Sequence, residues 1–247
     1  MSGLKKYYFG KQKSRSLIDQ IVAYYGLNGD AVDSIGLNSG TLVGAGAFAS
    51  GKIGTSPNGW STSQYITIPQ STAFDFSDAS TDLKFSISFW WQKNDTVTRN
   101  FINKRGGTAG TDQWSITMTN GVIEIALFSN SVSGYISKKT VPGSGNIAAI
   151  VNNTWYHNVI TYDGSGTVGG LRIYQNGSLA TVTTDTLVGT YTKMPQASQI
   201  TRIGRLYTGT NSSIFRMDEI GFWKNRMLNQ AEVRKLYNSG NGLAYPF

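Results

Sequence analysis

Residues 155–164, Trp-Tyr-His-Asn-Val-Ile-Thr-Tyr-Asp-Gly, and residues 171–177, Leu-Arg-Ile-Tyr-Gln-Asn-Gly, decide the fold. In the first run Tyr156, Asn158, Ile160 and Tyr162 alternate with His157, Val159 and Thr161. In the second, Leu171 and Ile173 alternate with Arg172 and Tyr174. A period of two marks β-strands, whose successive side chains point to opposite faces. Asp163-Gly164 leaves the first strand, and Asn176-Gly177 is the pair a type I′ hairpin turn demands.

The same pattern spreads outward from this pair. Ile18–Tyr25 reads as a first strand, followed by Gly26–Gly36, where glycines permit positive φ and Asp and Asn bond the local backbone. Phe85–Gln92 puts Phe85, Ile87, Phe89 and Trp91 on one face and Ser86, Ser88 and Trp90 on the other. Gln113–Met118 and Val122–Phe128 read as strands joined across Asn120-Gly121, whereas Ser129–Asn153 gives no clear pattern. Phe215–Trp223 alternates again and leads into a helix. Asn229 is placed to cap it with Glu232 at the third position, Leu228 can staple onto Val233, and Gly240 is expected to end it.

Twenty-nine glycines and no cysteine in 247 residues describe many short strands joined by tight turns, with neither disulfides nor thiolate metal sites. A β-sandwich of this size is commonly one domain. No apolar run reaches the ~18 residues of a membrane helix. The net charge of +8 is uneven, since Lys5, Lys6, Lys11, Lys13 and Arg15 all precede the first acid, Asp19. Residues 1–16 therefore read as a basic arm and residues 17–247 as the domain. No apolar core of a secretory signal precedes it.

The tryptophan-led strand, its Asp-Gly turn and the strand ending Tyr-x-Asn-Gly resemble the laminin-G-like and pentraxin-like branch of the concanavalin A-like lectin/glucanase superfamily. Gly51–Gly54, Tyr65–Pro69, Phe85–Gln92 and Gln199–Arg205 are similar to successive elements of that family. The most specific likeness is Met217–Trp223, a Met-Leu turn, then Gln230–Tyr237. The resemblance implies an all-β, two-sheet jelly-roll sandwich with one short C-terminal helix. It also implies a role in binding and display rather than catalysis.

Three chemical motifs fail on their own terms. Gly46–Lys52 has the spacing of a phosphate loop, but Ile53 stands where a Ser or Thr should hold magnesium, and Gly54, Pro57 and Gly59 forbid the helix that gives such a loop its anion affinity. Retaining glycosidases need two carboxylates about 5 Å apart. The strand Val122–Leu127 offers Glu124 alone, in a chain with three glutamates. His157 is the single histidine, so neither a triad nor a two-histidine metal site follows from it.

Calcium remains open at this level. The resemblance implies a structural calcium between the first loop and the last strand, which here means Asp30, Asp33 and Asp218. Equally, Asp30 and Asp33 can make turns and Asp218 can accept from a loop amide. A glycan needs an aromatic face and a few oriented polar groups. Trp60, Tyr135 and Tyr207 lie in or beside segments rich in Ser, Thr, Asn and Gly, and Trp90 shares a strand face with Ser86 and Ser88.

The function these residues suggest is a non-enzymatic structural or adhesion module on a particle surface. A tailed-phage virion protein (capsid decoration, head fibre or tail-associated) made in host cytoplasm fits best, because a lectin-like domain without export signal or disulfide suits a particle released by lysis. The closing Leu236–Phe247 resembles endings of phage laminin-G-like proteins. Other virion proteins are the expected partners, contacted through Lys5, Lys6, Tyr7, Tyr8, Phe9, Lys11, Lys13 and Arg15 in an oligomeric assembly, with cell-surface glycan as a further ligand. Nucleic acid is disfavoured, since the rest of the chain carries little excess charge and no recognised motif. A free carbohydrate-binding protein is the alternative, and a divergent glycoside hydrolase comes third.

Overall fold

The computed structural model describes residues 16–44, 46–58, 64–93, 99–108, 110–129, 134–209 and 215–247. In chain order the strands are β1 (Ile21–Tyr25), β2 (Thr41–Val43), β3 (Phe48–Ser50), β4 (Thr55–Pro57), β5 (Tyr65–Ile68), β6 (Phe85–Lys93), β7 (Arg99–Lys104) and β8 (Trp114–Thr119). There follow β9 (Val122–Phe128), β10 (Tyr135–Thr140), β11 (Trp155–Tyr162), β12 (Leu171–Gln175), β13 (Ser178–Leu179), β14 (Thr183–Val188), β15 (Thr201–Ile203) and β16 (Phe215–Lys224). The helix α1 spans Gln230–Tyr237. It is too short to cross a membrane, as is every helix among the described residues.

Two large antiparallel sheets face one another. One has six strands in the order β1-β16-β6-β11-β12-β13; the other has eight, β14-β10-β9-β8-β7-β15-β5-β2; β3 and β4 form a separate hairpin. The expected all-β jelly-roll sandwich with one short C-terminal helix is the observed fold. Between the sheets lie Phe85, Ile87, Phe89 and Trp91 of β6, Ile116 and Met118 of β8, and Ile123, Ile125 and Leu127 of β9. Phe76 stacks on Phe85 at 4.3 Å and Phe74 meets Phe222 edge-on at 5.0 Å, both favoured aromatic geometries. The Trp91 indole donates to Asn158 Oδ1 at 2.7 Å, so the polar side chain on the core face of β11 is satisfied.

The six-stranded sheet is covered on its other face as well. Val159, Tyr174 and Trp223 pack there beneath Leu228, Val233 and Leu236 of the α1 segment, with Leu17 joining them. Arg226 is buried in this layer and donates to Ser16 O and Asp19 O at 2.6 Å each and to Glu232. It thereby fastens the start of the described chain to the helix.

Local sequence chemistry explains most joints. Asn176 and Gly177 take φ of 49° and 78°, as the hairpin requires, and a Cβ on Gly177 would sit 2.8 Å from the Tyr237 ring. The Asn120-Gly121 turn between β8 and β9 has the same form. Two expectations shift. Residues 17–20 form a turn, with Gln20 at φ 61°, so β1 begins at Ile21 rather than at Ile18. The helix is closed by Asn238 in the left-handed region, before Gly240 is reached.

At the other end of α1, Asn229 accepts from the amides of Ala231 and Glu232, and Glu232 reaches back to the Asn229 amide at 2.8 Å. Asn229→Ala should therefore cost about 1 kcal/mol, read as a lower urea midpoint at unchanged slope, while Asn229→Asp stays near wild type. An unshifted midpoint for the alanine variant would mean that packing alone holds the helix.

Candidate functional site on the outer face of the eight-stranded sheet

On the outer face of the eight-stranded sheet Ser137, Ala126, Ser115 and Asn103 are buried, while Arg202 and Thr67 beside them are half-buried. Strand register lays one row across this face. Thr186 pairs with Ser137, Ser137 with Ala126, Ala126 with Ser115, Ser115 with Asn103, Asn103 with Arg202, Arg202 with Thr67, and Thr67 with Thr41. These residues are small or polar because alternation has sent the isoleucines of the same strands inward. Among the described residues Asn103 Oδ1 and Ser137 Oγ are buried without a hydrogen-bond partner.

Two residues along β10 and β9 the row becomes aromatic, at Tyr135 and Phe128. Tyr135 packs on Phe128 at 5.9 Å, and the Arg105 guanidinium lies over Phe128 at 4.1 Å and over Tyr207 at 5.3 Å. Asp112 holds this stack in place. Its carboxylate takes Arg105 Nη2 at 2.6 Å and the amides of Gly106 and Gly107 at 3.1 and 2.8 Å. Gly107 has φ of 86°, and a Cβ there would lie 1.9 Å from the Tyr207 ring, so glycine is needed for the approach. Next to this stack Arg202 donates to Arg105 O at 3.1 Å, and Arg205 lies over Tyr65 at 4.4 Å.

The structure thus brings Tyr135 and Tyr207 into one strip. Sequence reading missed the residues that join them, Phe128 and Arg105. Phe128 had a visible signal, since it shares the polar face of β9 with Val122, Glu124 and Ala126. Arg105 had none, because its position depends on the Asp112 loop. Trp60 lies outside the described residues, as do Lys5, Lys6, Tyr7, Tyr8, Phe9, Lys11, Lys13 and Arg15.

Trp90 is corrected. It is 2% exposed, stacks on Tyr237 at 5.8 Å and lies 5.0 Å from His157, with Lys52 over its ring at 4.5 Å. The helix covers it, so no sugar reaches its face. His157 Nε2 lies 2.9 Å from Ser88 Oγ in the same layer. Burial, with Lys52 adding to it, pushes this imidazole down to about 3, and its Nδ1 has no partner. A neutral, sealed imidazole without an orienting acid cannot activate the serine.

The three aspartates proposed for calcium do not assemble. Asp33 accepts from the amides of Tyr24, Ile35, Leu37 and Asn38. Asp30 accepts from Val32 within its own exposed loop. Asp218 Oδ2 accepts from Lys52 and Ile53 at 2.7 and 3.0 Å, and its Oδ1 from Glu219. Calcium needs six to eight oxygens free to coordinate it. Here the carboxylates are engaged by backbone amides, and no three acids, histidines or cysteines gather among the described residues. The donor set does not fit the ion.

Glu124, the single acid of its strand, pairs with Lys139 at 3.4 Å. The two adjacent carboxylates, Asp218 and Glu219, lie instead in the interior at a bulge where Glu219 takes φ of 51°. Tyr24 Oη donates to Glu219 Oε2, while Oε1 is buried without a partner. Tyr245 and Phe247 shield this end of the Tyr24 ring.

A laminin-G family model described as the concanavalin A-like lectin/glucanases superfamily matches residues 58–234. The chain belongs to that superfamily. No curated protein matches it by sequence. Among solved structures it is similar to the binding domain of Paraclostridial Mosquitocidal Protein 1, with TM-score 0.67, 19% identity, and coverage of 90% of this chain and 52% of that one. The receptor binding domain of a botulinum neurotoxin C/D mosaic serotype gives TM-score 0.64 at 17% identity, covering 89% and 51%. The chain therefore spans about half the length of these two structures. Domain 4 of AbnA, a GH43 extracellular arabinanase from Geobacillus stearothermophilus, in complex with arabinotriose, gives TM-score 0.60 at 19% identity, covering 87% of this chain and 97% of that domain. At such identities the likeness is one of fold.

The buried acids generate a pH prediction. Burial pushes Asp218 up to about 8 and Glu219 up to about 7. Between the ordinary carboxylate range and these values the folded chain binds more protons than the unfolded one, so stability falls as pH rises through that window and levels off above it. Glu219→Gln should flatten the pH 5–8 slope of unfolding free energy by up to about 3 kcal/mol. Parallel slopes for wild type and variant would show that Glu219 is ionised in the fold throughout.

Proposed function

We propose that the chain is a non-enzymatic recognition module that holds a glycan against the outer face of its eight-stranded sheet. The observation that carries this reading is the half-buried Tyr135–Phe128–Arg105–Tyr207 stack, with the polar side chain of Arg202 next to it. Aromatic faces take the apolar side of a sugar ring, and polar groups alongside orient its polar edge. That solved structures of similar fold include a domain holding arabinotriose and receptor-binding domains of toxins supports a binding role.

The test is binding to immobilised polysaccharides. Phe128→Ala and Tyr207→Ala, both on the surface strip, should each weaken retention about tenfold, the effect of losing one anchoring aromatic, with unchanged melting. Binding that survives both substitutions would remove this face from consideration.

We further propose that the module is displayed on a tailed-phage particle, with residues 1–16 as its attachment arm. The cluster of Tyr7, Tyr8 and Phe9 among five basic residues supports this, because an anchor can bury the aromatics while its cations meet an acidic rim. So does the resemblance of Leu236–Phe247 to phage endings. Deleting residues 1–15, which spares the Ser16 carbonyl that Arg226 uses, should leave melting nearly unchanged and abolish incorporation into particles. Normal incorporation of the truncated chain would refute the anchor.

A further inference from the structure

The charges on the outer face of the eight-stranded sheet do not balance. Arg105 is neutralised by Asp112 at 2.6 Å and Lys139 by Glu124 at 3.4 Å. Arg202 and Arg205 have no acid partner among the described residues. Their protein contacts come from backbone and rings instead. Arg202 donates to Arg105 O, Arg205 lies over Tyr65, and Asn103 Nδ2 donates to the Arg205 carbonyl at 2.7 Å.

Two neighbouring guanidiniums repel each other, and partial burial adds to the cost. Burial draws Arg202 below its ordinary range; Tyr65 opposes this, and Arg205 adds a lesser push in the same direction as burial. Surface arginines without such a constraint would turn outward to water. These are held instead at one end of the aromatic strip, Arg202 in register with Asn103 and Arg205 fixed by the Asn103 Nδ2 hydrogen bond to its carbonyl. A planar, always-charged fork is the side chain best suited to take an oxyanion through paired hydrogen bonds.

We infer that the ligand of this face is an anionic glycan, whose carboxylate or sulfate docks at Arg202 and Arg205 while a neighbouring sugar ring lies on the strip of Tyr207, Phe128 and Tyr135. This rests on the glycan-binding reading above and adds the ligand's charge to it. Asn103 and Ser115 are buried beneath this face, and Asn103 Nδ2 fixes the backbone of Arg205. The site selects by charge at one end and by ring stacking at the other, so both halves are needed for full affinity.

The experiment uses the full chain in affinity electrophoresis against polygalacturonate, dextran sulfate, neutral arabinan and an oligo(dT) strand. Retention on at least one anionic polymer, stronger than on arabinan, is expected, and comparing the two anionic polymers separates carboxylate from sulfate as the recognised group. Raising NaCl from about 50 to about 500 mM should weaken that retention at least about tenfold, as screening of a charged contact requires. The double variant R202Q/R205Q should lose anionic retention by about tenfold or more and keep any retention on arabinan and its melting curve. If the double variant fails to fold, R205Q alone and the wild-type salt dependence carry the same test. Equal retention on neutral and anionic glycans, insensitive to salt and to these substitutions, overturns the anionic assignment and leaves the glycan reading standing. Retention on no glycan overturns both, as does retention on oligo(dT) alone, which would make the arginines a nucleic-acid contact.

Discussion

Burial of β6 on both faces is the constraint on which the rest of this structure depends. Trp91 on one face lies in the core between the sheets, and Trp90 on the other lies under α1. An isolated sandwich would leave Trp90, Val159 and Trp223 in water. The chain covers them with the helix, the closing segment and the turn at Leu17. Each of these must find its polar partners to do so. The Trp223 indole donates to Leu17 O at 2.7 Å, Ser86 Oγ bridges Arg226 O and the Leu228 amide, and Gln230 reaches Gly177 O at 2.5 Å. The second layer is therefore stitched to the first by groups that would otherwise be buried and unpaired.

The sheet proposed to meet a ligand is the other one. The eight-stranded sheet has Ile116, Ile125 and Ile203 on its inner face and Ser115, Ala126 and Arg202 on its outer one. The Arg105 stack shows how a rigid subsite arises there without a helix or a metal. One carboxylate, Asp112, satisfies a guanidinium and two amides together, and that arrangement fixes where Phe128 and Tyr207 can be bridged.

The interior has its own unresolved tension at Asp218 and Glu219. Asp218 holds the Lys52–Ile53 turn to the last strand by two amide hydrogen bonds, yet it is buried beside a second acid. Desolvation favours the protonated forms, whereas the amides favour the charged one. The pair ties the stability of the β3–β4 hairpin and of the closing segment to proton uptake. Asp218 gives both its carboxylate oxygens to backbone amides, whereas Glu219 accepts from the Tyr24 hydroxyl and keeps Oε1 unpartnered.

The sequence by itself determined much of the strand pattern (β10 and β14 excepted), the two Asn-Gly hairpins, the capping box of α1 and the two faces of β6, because each depends on neighbours within a few residues. It also held Tyr135 and Tyr207 as separate candidates. Tertiary structure decided what became of them. Tyr135 and Tyr207 are one strip only because β10 and β9 align Tyr135 with Phe128 and because Gly107 lets Tyr207 approach Arg105. Trp90 is core rather than platform because a helix about 140 residues further on returns to cover it. Asp218 serves amides at Lys52 and Ile53, some 165 positions away, rather than sharing an ion with Asp30 and Asp33. Alternation says which face a side chain takes. Register and long-range closure say what waits on that face, and no local pattern encodes them.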